Sequence, residues 1–476
     1  MKDKNSLVKN SASLFIMHTL STALMLILTI YMARAFGDAR FGKYSFAVSF
    51  TGLFAVFLHL GLDLLLTREV ARDKTKTGYY VGTIAGIRLV ASIAVFLLAA
   101  AAVNALGYPL DMVELVYLFA AYTVLVGYGK LLKAVFQAYE RMDYQSIVEI
   151  ASRLFITLAG VYVIYTGGGL YRIAAVFIAG AALDLMLSAY IYSLKYARPQ
   201  LNTDIGDWQK MVKAAYPFFL SYAFLMVSFK IDVVMLSLMH TDAVIGWYSA
   251  SYKILEGLNI IPTAVVVAAF PVFARLYKNS KTELNKLYTQ VTRFLLIIGL
   301  PIAVGATLLA PQIIDALYGV GYANSALPLK ILVWAELFVF IRYVASNMLN
   351  ATDQQKNNLR VVAAGAAANI ILNLMLIPGY AEVGASYATL TTELLMLAGG
   401  VYYLIRSGYR LHMTKSVLKA GVASIAMACI IFVLKDLNVF ALIAVGALTY
   451  FTVLYILRAY TVAGVRKMLA KINQTA

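Results

Sequence analysis

The sequence predicts an all-α polytopic membrane protein of about 14 transmembrane helices. Three observations lead there. Of 476 residues, 62% are hydrophobic and only 13% charged, where a soluble protein carries roughly a quarter charged residues. The mean hydropathy is +0.79. Apolar runs long enough to cross a bilayer recur along the whole chain. At about 20 residues per crossing, the apolar content suffices for at most about fifteen helices. A soluble multidomain enzyme is excluded.

Taken in order, the expected spans are 12–35, 44–66, 79–104, 112–136, 145–166, 170–194, 214–239, 246–272, 288–309, 327–350, 359–379, 383–405, 416–434 and 438–460. Short polar segments separate them, and no stretch of more than about twenty residues is left over for a soluble catalytic domain. A β-barrel is excluded because the runs lack period-two alternation and are too long. The first run is too long for the core of a signal peptide, and no small-residue cleavage site follows it, so it reads as a retained first helix. The single Cys429 lies in a late span and cannot form an internal disulfide.

Charge orients the chain. Lys and Arg total 40 against 23 Asp and Glu, a formal +17. With the N-terminus placed in the cytoplasm, 26 bases fall on that side and six on the other: Arg34, Arg40, Lys43, Arg172, Lys330 and Lys435. This asymmetry is the positive-inside signature of a cell (plasma or inner) membrane protein with both termini cytoplasmic. It accounts for the basic balance without nucleic acid as a partner.

Eight bases remain within the spans: Arg88, Lys130, Lys133, Arg153, Lys230, Lys253, Arg293 and Arg342. Acids at comparable depth are Asp63, Glu149, Asp184, Asp232, Glu256, Glu336 and Glu393. Charges there are costly and normally face a bundle interior, a wet cavity or a partner. Glu149 and Arg153 are spaced i,i+4 and Lys253 and Glu256 i,i+3, which fits simple helix-face ion pairs. Lys133 and Arg293 lie near the cytoplasmic ends, where snorkelling is the plain reading. Arg88, Lys130, Lys230 and Arg342 have no such neighbour. Lys230 and Asp232 are two apart and point to different sides of their helix. A set of uncompensated cations inside a helical bundle implies an anionic guest.

The chain also repeats itself. Asp38-Ala39-Arg40-Phe41-Gly42-Lys43-Tyr44-Ser45 and Asp242-Ala243-Val244-Ile245-Gly246-Trp247-Tyr248-Ser249 both read D-A-x-x-G-x-Y-S, five matches in eight at an offset of 204. Gln137-Ala138-Tyr139-Glu140-Arg141 is echoed by Asn350-Ala351-Thr352-Asp353-Gln354 at an offset of 213. Six helices per half give both halves the same orientation. The expected organisation is therefore an N-terminal six-helix bundle at 1–194, a cytoplasmic linker at 195–213 containing Trp208, a C-terminal six-helix bundle at 214–405, and two extra helices with a cytoplasmic tail at 406–476. Paired bundles of this kind hold substrate between them and alternate access by rocking. Seven of nine prolines follow residue 200, and Pro262 should kink the eighth span.

Enzymatic and cofactor signals are missing. No G-x-x-x-x-G-K-[ST] phosphate loop occurs, and Gly167-Gly168-Gly169 is a short inter-span turn. His18, His59, His240 and His412 fit no metal-binding spacing. The expectation is therefore no catalytic residue, no metal and no cofactor. Most of the 33 tyrosines read as interface belt and packing residues.

The fourteen spans, the twin halves, the repeated D-A-x-x-G-x-Y-S loops, Lys230-x-Asp232 in the seventh span and the Gln-Ala-Tyr-Glu-Arg turn at 137–141 resemble the polysaccharide transporter family. Its members are O-antigen-type lipid-linked oligosaccharide flippases of the multidrug/oligosaccharidyl-lipid/polysaccharide exporter superfamily. The resemblance implies two bundles in a V shape that move an undecaprenyl- or dolichyl-phosphate-linked glycan from the cytoplasmic to the outer leaflet. The partners it implies are that glycan lipid, membrane lipid, and H+ or Na+, with the protein working as a monomer. A phosphate head suits Arg and Lys in a low-dielectric cavity. The expected substrate-binding residues are Arg88, Lys130, Lys230 and Arg342, with Arg153 and Lys253 as second choices, and Asp63 or Asp232 balances charge or carries the coupling ion.

Three neighbouring readings fit less well. Many multidrug and toxin extrusion antiporters use an acid in the first helix, and residues 12–35 contain none. The lipid II flippase branch resembles a pattern with several first-helix arginines, and here only Arg34 is present. Membrane glycan polymerases and ligases carry a large outer loop, and the longest outer segment here, roughly 310–326, is too small.

Overall fold

The computed structural model describes residues 2–411 and 413–458, with the side chains of 2–16, Ser221 and Thr414 left aside. The expected cytoplasmic bases Lys2, Lys4, Lys9, Arg466, Lys467 and Lys471 lie outside the described side chains. Among the described residues every regular element is helical.

In chain order the helices are α1 Lys2–His59, α2 Leu62–Arg72, α3 Thr77–Ala105, α4 Leu110–Ala138, α5 Met142–Tyr165, α6 Leu170–Lys195, α7 Ile205–Met239, α8 Asp242–Leu258, α9 Ile260–Asn279, α10 Lys281–Tyr318, α11 Ala326–Ala351, α12 Gln355–Arg406, α13 Thr414–Val433 and α14 Val439–Ile456. Eleven helical stretches are long and apolar enough to cross a membrane among the described residues. The fourteen expected spans therefore do not map one to one onto separate helices. The expected first span and most of the second are merged in α1, which is interrupted only at Gly37 (φ 76), while the end of the second, past the turn at Leu60 and Gly61, lies in α2. Two more are merged in α12, which breaks only at Ala381 (φ 48). The expected span 246–272 is instead divided, with α8 ending at Leu258 and α9 starting at Ile260. Pro262 sits in the first turn of α9, where its missing N–H costs nothing, so it follows a helix boundary and does not kink a continuous helix.

The chain forms two compact units, Met1–Gly246 and Trp247–Ala476. In the first, α1 packs on α5, α7, α4 and α3, while α4 and α5 both pack on α6 and α2 sits on α4 and α7. Leu62, Leu65, Leu66 and Val70 of α2 are buried with Val81 and Ile84 of α3 and Leu131, Val135 and Phe136 of α4. The opposite face of α3 is apolar too: Leu89, Val90, Ile93 and Leu97 are each more than half exposed. Such a face is stable only against lipid.

The segment expected as a linker is docked and partly helical. The Gln200 amide donates to Gly78 O (2.8 Å), and the Trp208 indole donates to Asn202 O (2.8 Å). Asp204 caps α7 by accepting from the Gly206 amide, so the helix begins well before residue 214.

Both sequence echoes have structural counterparts. Gly42 lies so close to the Asp242 carbonyl that a Cβ there would be 1.8 Å from it, and a Cβ on Gly246 would be 2.2 Å from the Asp38 carbonyl. The shared glycine of D-A-x-x-G-x-Y-S is thus the point where the two motifs touch, each against the aspartate carbonyl of the other. At the second echo, Glu140 (φ 58) and Asp353 (φ 59) both take the left-handed conformation. Arg141 N donates to Phe136 O and Gln354 N to Leu349 O, both at 2.8 Å. Each closes the same six-to-one helix-ending turn.

In the second unit, α10 packs on α11, α9 and α13, α11 on α12, and α13 on α14. Its core holds Phe273, Tyr288, Phe340 and Met348. Apolar surface alone gives helices little reason to associate in lipid, so close packing and polar links do that work. One such link anchors the last helix: Tyr450 Oη donates to Ile297 O at 2.8 Å. It contributes about 0.6 kcal/mol by the typical measure for such bonds.

Candidate functional site

The first unit contains a cavity of about 310 Å³ between α2, α4, α5 and α6. Helical spacing builds its walls. Tyr122, Val126, Lys130, Lys133 and Gln137 recur every three or four residues on one face of α4, and Gln145, Glu149, Arg153 and Ile156 do so on α5. Asp63 enters from α2 and Asp184 from α6.

Charges in this cavity are wired together. Arg88, fully buried behind the wall, donates from Nη2 to Asp63 Oδ1 (2.8 Å) and from Nη1 to Gly127 O (2.5 Å). His59 Nδ1 lies 3.0 Å from Asp63 Oδ2. Lys133 Nζ donates to Glu149 Oε2 (2.8 Å) and Asp184 Oδ2 (2.9 Å), and Arg153 Nε donates to Glu149 Oε1 (3.1 Å). Ser152 Oγ donates to Asp184 Oδ2 at 3.3 Å. Gly129 makes room for this, since a Cβ there would lie 2.4 Å from Asp184 Oδ1.

Lys130 stands apart. It lines the cavity, is exposed, and makes no hydrogen bond or ion pair among the described residues. Arg88, Lys130, Lys133 and Arg153 face Asp63, Glu149 and Asp184. With His59 neutral, the cavity carries one formal positive charge in excess. An ammonium on a flexible stem in such a place is a ready anion ligand.

The remaining expected site residues lie elsewhere. Lys230 is on α7, its Cγ 3.9 Å from where a Cβ on Gly52 of α1 would be, and Asp232 is buried on the same helix. Neither lines the cavity. In the second unit Arg342 donates twice to Glu393, from Nε at 2.5 Å and Nη2 at 3.2 Å, with both side chains 8% exposed. Lys253 is paired with Glu256 at 2.5 Å.

Two expectations need correction. Arg88 and Arg342 are not uncompensated, because their acids come from other helices, 25 and 51 residues away in sequence. Lys133 does not snorkel: at 9% exposure it bridges the buried Asp184 and the half-buried Glu149. Sequence reading missed Lys133 and Asp184 as members of the network. The available signal was Lys130 and Lys133 at i,i+3 on the helix face that also carries Tyr122 and Val126.

A family model described as polysaccharide biosynthesis protein matches residues 7–277, and one described as MatE matches 217–375. The chain is 25% identical to the probable flippase AglR of Haloferax volcanii, over 93% of this chain and 94% of that one. It is 20% identical to the capsular polysaccharide biosynthesis protein CapF of Staphylococcus aureus, over 84% of this chain and all of that one. The fold resembles that of the lipid II flippase MurJ, a structure described as an inward closed conformation of that protein, with a TM-score of 0.76 at 16% identity over 93% of this chain and 98% of that one. Because the first of these models spans more than half of its length, the chain belongs to the polysaccharide biosynthesis protein family.

Proposed function

We propose that this protein is a flippase that moves a lipid-linked oligosaccharide, a glycan on a polyprenyl phosphate or diphosphate, from the cytoplasmic to the outer leaflet by alternating access. The single observation carrying this is Lys130, an uncommitted ammonium in a cavity whose other charges are mutually satisfied. It is supported by the flippase and polysaccharide-biosynthesis names of the relatives.

Lys130 and the terminal N–H groups of Arg153 bind phosphoryl oxygens in this reading, with Arg88 holding Asp63 in place behind them. The polyprenyl tail stays in lipid. The protein is a transporter with no reaction of its own, works as a monomer in the cell membrane, and has both termini cytoplasmic. An H+ or Na+ gradient, acting through Asp63 or Asp232, drives transport.

Glycan export in a flippase-null strain tests this. Lys130→Gln should export poorly at normal protein level, and Lys130→Arg should recover a substantial part. Normal export from Lys130→Gln would overturn the assignment.

The MatE match supports a second reading, an ion-coupled multidrug antiporter. A site for cationic drugs calls for excess negative charge, whereas this cavity has one positive charge too many. Resistance to cationic dyes conferred on a sensitive host would favour the antiporter.

A further inference from the structure

The charge arithmetic of the cavity reaches beyond the presence of an anion to its valence. Each acid is already matched: Asp63 by Arg88 at 2.8 Å, Glu149 by Lys133 and Arg153 at 2.8 and 3.1 Å, and Asp184 by Lys133 at 2.9 Å. Two of the three Lys133 N–H donors are spent on those carboxylates. Arg153 retains donors, but Glu149 offsets its charge. What remains is the one positive charge of Lys130. Charges removed from water are tolerated only when matched, at a penalty of several kcal/mol per unmatched ion. A guest with one negative charge leaves this cavity neutral. A guest with two leaves a negative charge beside Asp63, Glu149 and Asp184, whose own charges already take up those of Arg88, Lys133 and Arg153.

We propose that the cavity selects a lipid-linked sugar joined through a single phosphate over one joined through a diphosphate. A phosphodiester between sugar and polyprenol has one acidic oxygen and carries one negative charge, whereas the diphosphate linkage carries two. This rests on the flippase reading and narrows its substrate class.

The test uses the full-length protein in proteoliposomes and two synthetic lipids with the same polyprenyl tail and the same neutral hexose, one phosphate-linked and one diphosphate-linked. The neutral hexose ensures that the only anion is the linkage. Binding and leaflet exchange are measured for both.

The expected result is a preference of about tenfold or more for the monophosphate lipid in both Kd and transport KM. Lys130→Gln should abolish the preference by weakening the monophosphate lipid about tenfold. Gln145→Lys, at a half-buried wall position, adds a second uncommitted ammonium and should shift the preference toward the diphosphate lipid. Equal use of both lipids, or a diphosphate preference in the unmodified protein, would overturn the valence rule while leaving the flippase reading standing. Failure to bind or move either lipid would overturn both.

Discussion

The Arg342–Glu393 pair gives the sharpest test of how charge is used inside this fold. Both side chains are 8% exposed and joined by two hydrogen bonds of 2.5 and 3.2 Å, and Glu336, itself 4% exposed, lies on the same helix as Arg342. Replacing Arg342 by Met leaves Glu393 buried without its partner. Breaking a buried pair from one side costs about 3–5 kcal/mol. Replacing both members, Arg342→Met with Glu393→Leu, removes the charges together, and such swaps are often neutral or stabilising. The double variant should therefore recover most of the loss, with a coupling energy of about 3 kcal/mol, the top of the range for residues in contact.

Thermal unfolding in detergent reads this out through tryptophan fluorescence, since Trp334 lies on the same helix, its indole bonded to Thr307 Oγ1 at 3.0 Å. Export measured in parallel separates roles. If the pair is structural, the double variant regains export as it regains stability. If Arg342 binds substrate, stability returns and export does not. A single variant as stable as the parent, or a double variant no better than the single, would refute the electrostatic reasoning itself.

Lys133→Met should destabilise the first unit by about 3–5 kcal/mol, because it removes the base paired with the buried Asp184 and leaves Glu149 to Arg153 alone; the same unfolding assay checks it. Gly129→Ala places a Cβ 2.4 Å from Asp184 Oδ1 and should weaken export and cost about 1–3 kcal/mol, while Gly421→Ala, which meets nothing within 4 Å, serves as the control. Gly42→Ala and Gly246→Ala each drive a Cβ into a backbone carbonyl and should each lower thermal stability by about 1–3 kcal/mol or more, a loss readable in the same scans. Asp207 accepts from Tyr79, Asn202 and Lys210 at 2.9, 3.0 and 3.0 Å, chiefly the Lys210 bond holding its carboxyl below the ordinary 3.8. Its contribution to docking the 196–204 segment is thus complete above pH 3.8 and lost as pH falls through the lower, folded-state value. Hydrogen exchange of that segment, corrected for intrinsic rates, should rise in the acid range, and Asp207→Asn should raise exchange already at pH 7 and flatten the acid response.

Much of the architecture is legible in the chain because it depends on local rules. Span positions follow from apolar run length, and the internal repeat follows from short motifs. The Gln137–Arg141 echo shares only one identical residue with Asn350–Gln354, yet both close with a left-handed residue near φ 58 and the same 2.8 Å bond. Helix-ending turns depend on backbone conformation, which Glu140 and Asp353 satisfy alike. The span count is less legible, because Gly37 and Ala381 turn the chain at single residues within otherwise continuous helix, whereas the apolar run 246–272 is divided at Asn259.

The candidate site is legible only in part, for a different reason. An ion pair within one helix leaves a spacing in the sequence, as Glu149 and Arg153 do, but Arg88–Asp63, Lys133–Asp184 and Arg342–Glu393 join different helices and leave none. Counting bases along the spans therefore overstates what is available to a ligand. In the first-unit cavity four bases meet three acids, and the excess of one belongs to Lys130. Ligand charge here is a small difference between two nearly equal populations. Which base remains uncommitted is decided by helix packing, so one base added to the cavity wall, as in Gln145→Lys, is enough to change the valence the cavity asks for.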